Sequence, residues 1–195
     1  MTALLLSTFF FFSCVPEIET KDSEGPQAEQ VVENVSLITW ATCSQMIDDH
    51  PCNFTLRDRF DDEVSLYDFI GSPIVLDLST MWCAPCNIAA DEVQEVQDSY
   101  SDDDLVYMTV LIENYNGEPP SVEDCRDWGE DHDIATAPIL AGDRSLLSSN
   151  PVVGWPLTGW PTFYFIDAGM ITRSVVRGFN AQLVEIEIEK IIAQN

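Results

Sequence analysis

Cys83 and Cys86 stand three positions apart in Trp82-Cys83-Ala84-Pro85-Cys86, and two thiols at that spacing form a dithiol that can close to a disulfide and open again. An apolar, β-branched run from Ile74 to Leu78 precedes them. Behind them Ile88, Val93, Val96 and Tyr100 recur at helical spacing, which predicts a helix with these side chains on one face. Strand, turn and helix in that order place Cys83 where unpaired backbone N–H groups and the positive end of the helix dipole favour thiolate over thiol. Cys83 is therefore the expected nucleophile. Cys86, nearly one turn further on, points back toward it and is the expected resolving thiol.

A CxxC pair also supplies two ligands of a zinc site. Structural zinc takes four, and the chain has no second CxxC, no CxxH and no HxxxH, while His50 and His132 stand alone. Redox chemistry without metal is the expectation, and a dithiol needs no cofactor to carry it.

The elements that must position the dithiol carry a resemblance. Leu76-Asp77-Leu78-Ser79-Thr80-Met81-Trp82-Cys83-Ala84-Pro85-Cys86, with Gly159-Trp160-Pro161-Thr162-Phe163-Tyr164-Phe165 far downstream, resembles the thioredoxin superfamily. Asn53-Phe54-Thr55-Leu56 and Val64-Ser65-Leu66, with the spacing between elements, resemble the TlpA/ResA-type thiol-disulfide oxidoreductases within it. The match runs from about Asn53 to the C-terminus. It implies a thioredoxin-like α/β fold, a central mixed β-sheet flanked by helices on both faces, with an N-terminal extension and an insertion after the second core strand. Ala137-Pro138-Ile139-Leu140 resembles the short strand that these proteins insert.

The resemblance also implies roles. Asp77, six residues before Cys83, matches a buried carboxylate behind the active site; burial raises a carboxylate's pKa, so Asp77 would take the proton from Cys86 as that thiol attacks a mixed disulfide. The structural alternative is a strand-end aspartate facing water. Pro161 matches a cis proline beside the dithiol, where the backbone of the preceding residue is presented to a substrate strand. Trp160 and Trp82 would wall the site with apolar surface and contact substrate. Gly154-Trp155-Pro156 repeats the Gly-Trp-Pro pattern, but only Pro161 leads straight into an apolar strand, and Trp155 is expected in the core. Thr80 and Cys83 also form a TxxC pair as peroxidatic sites do. That pattern wants a proline four residues before the threonine, where Leu76 stands, and Cys86 favours dithiol exchange.

The N-terminus carries a second address. Ala3 to Phe12 is apolar, too short for the roughly 20 residues that span a bilayer, and ends at Phe11-Phe12-Ser13-Cys14. This resembles a bacterial lipoprotein signal, with Cys14 the lipidated residue; an ordinary secretory signal is the alternative. Either reading implies export to the bacterial cell envelope, facing the periplasm, and the first adds membrane attachment through lipid. Residues 1–14 are then the signal, 15–35 a flexible acidic tether without apolar period, and 36–195 the thioredoxin-like domain.

Eight basic and 34 acidic side chains give a formal charge of −26, which excludes nucleic acid as a partner because phosphate binding needs clustered Lys or Arg. Exported proteins keep disulfides. Cys43 and Cys52 flank the polar stretch Ser44 to Pro51 and are expected to close it. Cys125, on a helix expected from Val122 to His132, is a buried free thiol, a partner for Cys43 or Cys52, or a third redox residue.

The expected function is exchange of the Cys83–Cys86 dithiol with disulfides of other proteins. The family resemblance favours the reductase direction, re-reduced by a thiol-disulfide electron donor. The competing expectation is a non-catalytic thioredoxin-like binding module of a cell-surface assembly, its CxxC locked as a disulfide.

Overall fold

The computed structural model describes residues 38–194. The signal, Cys14 and the acidic tether, together with the boundary expected at residue 36, lie outside the described residues. Strands β1 (Thr55–Asp58), β2 (Glu63–Ser65), β3 (Ile74–Thr80), β4 (Val106–Glu113), β5 (Ile139–Ala141), β6 (Thr162–Ile166) and β7 (Thr172–Arg177) form one mixed sheet in the order β2-β1-β5-β4-β3-β6-β7. The α-helices are α1 (Ala84–Ala90), α2 (Val93–Ser99), α3 (Val122–Asp131) and α4 (Ala181–Ile192). The expected insertion is α3 with β5.

Every residue of β3 is buried, as a strand covered on both faces must be, which is why its sequence reads as a nearly continuous apolar run. It pairs parallel with β4 and antiparallel with β6. The steps β3 to β4 and β4 to β5 are both parallel and move in the same direction across the sheet. Right-handed crossovers therefore put their helices on the same face. There Ala89, Val93, Trp128 and Ile188 pack on Val75, Leu111, Phe163 and Phe165.

The second face is sealed differently. Its helical cover is the 3-10 helix Leu66–Phe69 and a 3-10 turn at Arg144–Leu146, and irregular segments do the rest. Leu66, Phe54 and Trp155 pack on Leu76, Leu78, Val110 and Tyr164. Trp155 is in the core as expected, edge-on to Tyr164 at 4.7 Å and to Phe54 at 6.2 Å between ring centroids.

Cys43 and Cys52 are joined, with an S–S distance of 2.12 Å. The loop they close is bonded to the rest of the domain: Gln45 N–H donates to Pro151 C=O at 2.8 Å, Asp48 N–H to Thr172 C=O at 2.7 Å, and Thr172 N–H to Asp49 C=O at 3.0 Å. Trp40 stacks on His50 at 3.9 Å, just ahead of this docked loop. Closing a loop of this length stabilises a fold by about 2–3 kcal/mol, chiefly by restricting the unfolded chain. Cys52→Ser is expected to lower the unfolding free energy by that amount under non-reducing conditions, measured by urea titration, and to leave the wild type and the variant alike once reductant opens the bridge.

One expectation fails. The helix after the dithiol is two helices, because at Glu92 the ladder switches to an i to i+3 bond, with Glu92 N–H donating to Ala89 C=O at 3.1 Å. The bend rotates the buried face between the two segments. Val93 is buried and Val96 packs on the core, whereas Ile88 is 58% exposed.

Candidate active site

β3 ends at Thr80, and the chain turns through Met81 and Trp82 into α1 with Cys83 as its N-cap. Pro85 lies in the first turn, where the N–H it lacks has no helical partner to lose. Cys86 N–H donates to Cys83 Sγ at 3.3 Å. The Asn87 side-chain amide donates to Met81 C=O at 2.9 Å and Cys83 C=O at 2.8 Å, tying the turn to the helix. Cys83 and Cys86 are bonded to each other, their Cα atoms 5.2 Å apart. Both cysteines are buried, Cys86 completely and Cys83 to 5% exposure, so Cys83 lies the nearer of the two to the surface.

Asp77 is buried, on the same face of β3 as Val75 and the dithiol helix. Its carboxylate accepts a hydrogen bond from Ser79 Oγ at 2.7 Å. Burial pushes its pKa up to about 7, outweighing the opposing effect of that bond. The register sets Thr109 of β4 opposite Asp77, and the Thr109 hydroxyl has no hydrogen-bond partner among the described residues. Tyr107, two residues before it, has its phenol pushed well above the usual value by burial and then by the charge of Asp77. The water-facing alternative for Asp77 does not hold.

The Trp160–Pro161 peptide bond is cis. Thr162 pairs with Leu78, so the register brings this bond beside the end of β3 where the dithiol turn begins. Trp160 meets Trp82 edge to face at 6.5 Å. The other Gly-Trp-Pro copy has no cis bond, and its Trp155 bridges to Leu147.

One residue of the site escapes the sequence. Glu113, at the end of β4, is buried, accepts a hydrogen bond from Trp82 Nε1 at 2.8 Å, and receives another from Arg144. Burial opposes its charge, but the bonds from Arg144 and Trp82 together with the Arg144 charge hold it below the usual carboxylate range. Trp82, 46% exposed, is thereby fixed over the site from behind. The available signal was a carboxylate ending the apolar strand Leu105 to Ile112, at the same edge as the dithiol.

Cys125 settles among its three readings as a buried free thiol. Burial first, then the charges of Asp124 and Asp58, push it up to about 12, which leaves it protonated and inert. Among the described residues no group of three or more His, Cys, Asp and Glu side chains could hold a metal ion.

Solved structures share this architecture. A thiol:disulfide interchange protein DsbE from Chlorobium tepidum, so described provisionally, is 19% identical with a TM-score of 0.59, over 78% of this chain and 99% of that one. A DsbF homologue from Corynebacterium diphtheriae is 23% identical with a TM-score of 0.59, over 77% and 86%. The exposed lipoprotein thioredoxin of Streptococcus pneumoniae is 24% identical with a TM-score of 0.55, over 71% and 99%. These likenesses establish the thioredoxin-like fold. No curated protein matches the sequence. The AhpC/TSA family matches residues 47–175, a span that takes in Asp77, the dithiol, Glu113 and Pro161, and the chain belongs to that family.

Proposed function

We propose that this protein is a thiol-disulfide oxidoreductase that exchanges its Cys83–Cys86 pair with disulfides of other proteins, working as a reductase. The observation that carries the proposal is the asymmetry of the pair: Cys83, which keeps 5% exposure, caps α1 with a backbone N–H on its sulfur, while Cys86 is completely buried one turn into the helix. In the reduced enzyme the Cys83 thiolate attacks one sulfur of a substrate disulfide. A mixed disulfide forms and the other substrate sulfur leaves as thiolate. Cys86 then gives its proton to the Asp77 carboxylate and attacks Cys83 Sγ, releasing the second substrate thiolate. Two electrons have passed to the substrate, and the enzyme is left with the Cys83–Cys86 disulfide seen in the structure.

Trp82, Trp160 and the cis Pro161 form the docking surface for the substrate segment in this proposal. The exposed faces of Trp82 and Ile88 favour apolar chain beside the disulfide. A thiol-disulfide electron donor returns the enzyme to its dithiol form, and no cofactor or metal takes part. The proposed setting is the bacterial cell envelope, with the domain from residue 36 carried on the acidic segment 15–35 from a lipidated Cys14; the apolar run before Cys14 supports it.

Cys86→Ser tests the order of events. It is expected to accumulate mixed disulfides through Cys83 when the reduced protein meets disulfide-bonded substrate, detected by mass spectrometry of non-reduced samples. In the wild type, where Cys86 resolves the adduct, the same species should be fleeting. Captured adducts on any cysteine other than Cys83 would contradict the assignment.

A further inference from the structure

α2 and α4 do not close fully over the start of β4. They leave a cavity of about 190 Å³, smaller than the roughly 300–1,000 Å³ of sites for drug-sized ligands. One extended side chain suits that space. Val96, Val184 and Ile188 supply apolar wall, and Glu92, Glu95 and Glu185 stand at the rim. No lysine or arginine lines the cavity, and none of the three glutamates has an ion-pair partner among the described residues. A second, independent feature lies at the floor. Tyr107 is 1% exposed, yet it lines the cavity with a hydroxyl that has no hydrogen-bond partner among the described residues. A buried phenol is ordinarily paired. The cavity thus joins an apolar passage to unmatched negative charge and an unused hydroxyl.

We propose that this cavity receives a lysine side chain of a partner polypeptide. A lysine stem lies well along apolar wall while its ammonium, with three donors, meets oxygen acceptors. The Tyr107 hydroxyl and the rim carboxylates supply them. The charge of −26 on the chain draws basic partners toward this surface. The cavity opens between α2 and α4, and neither cysteine of the dithiol, nor Asp77, Trp82, Trp160 or Pro161, lines it. It acts as an anchoring point for a partner whose lysine lies away from the exchanging disulfide.

Amide NMR of the protein, titrated at low salt, tests this with three probes: end-blocked Gly-Lys-Gly, the same peptide acetylated on lysine Nζ, and n-butylammonium. Expected are saturable shifts around Val96, Tyr107 and Ile188 with the lysine peptide, at least tenfold weaker binding after acetylation, and at least fivefold weaker binding to the Glu95→Gln, Glu185→Gln double variant. Both glutamates are exposed, so the variant folds. Equal binding of the acetylated peptide, equal binding to the double variant, or no saturable shift would overturn the proposal. So would entry of butylammonium without the peptide, which would make the cavity a site for free amines only.

Discussion

Cys83→Ser is expected to abolish disulfide reduction, with turnover of insulin disulfides under a dithiol reductant falling to the rate of the reductant alone. The reason is positional. Cys86 is fully buried behind Cys83, and Cys125 is buried with its thiol pushed up to about 12, so neither remaining thiol can replace the missing nucleophile. Serine preserves the cap on α1, because a hydroxyl accepts from the first-turn N–H groups at least as well as sulfur. Loss of activity without loss of stability is therefore the expected pair of results, the second read from an unchanged urea midpoint against the reduced wild type.

Asp77→Asn should move two quantities in opposite directions. A buried carboxyl with a pKa of about 7 in the folded protein and an ordinary value of 3.8 in the unfolded chain binds its proton more tightly when folded. Stability therefore falls as pH rises from about 4 to about 7 and stays low above that. A rise of that size in the folded state corresponds to a penalty of about 4 kcal/mol at pH 8. Asparagine keeps the size and can still accept from Ser79 while removing the charge, so the variant should be more stable than wild type at pH 8 by up to that amount. At pH 4 the two should be nearly alike. Thermal unfolding at both values checks this. Over the same change the resolving step loses its proton acceptor, which is expected to slow turnover by about 10²-fold at pH 8, the low end of the range for a general base. The rise in wild-type rate near pH 7 should disappear. A variant slowed equally at every pH would point to misplacement of the dithiol instead.

The parts of the site that could be read from the sequence are those where one residue type meets one local requirement. Two cysteines at helix spacing, a carboxylate inside an apolar strand and a proline just ahead of another strand each announce themselves within a few positions. The structure has Asp77 buried and Pro161 cis, beside the end of the strand that leads to the dithiol. The bend at Glu92 was hidden because the apolar period runs through it unbroken; Ile88 fits the pattern of a single helix and yet faces water. Glu113 and Arg144 were hidden for a different reason. Their bond joins positions 31 residues apart, and it depends on where the segment after β5 is laid down, which follows from packing across the sheet. The second face of the sheet was equally unreadable in detail, since Phe54 and Trp155 come from irregular segments with no period to betray which side they cover.

The central claim is that Cys83 is an exchangeable, activated thiol, and its alkylation rate against pH in the reduced protein tests it most directly. The expected result is preferential labelling of Cys83, with a midpoint well below the roughly 8.5 of a free cysteine, and protection of Cys86. A bridge that resists reduction, or a reduced Cys83 that labels only at or above that ordinary value, would contradict catalysis and leave a locked binding module.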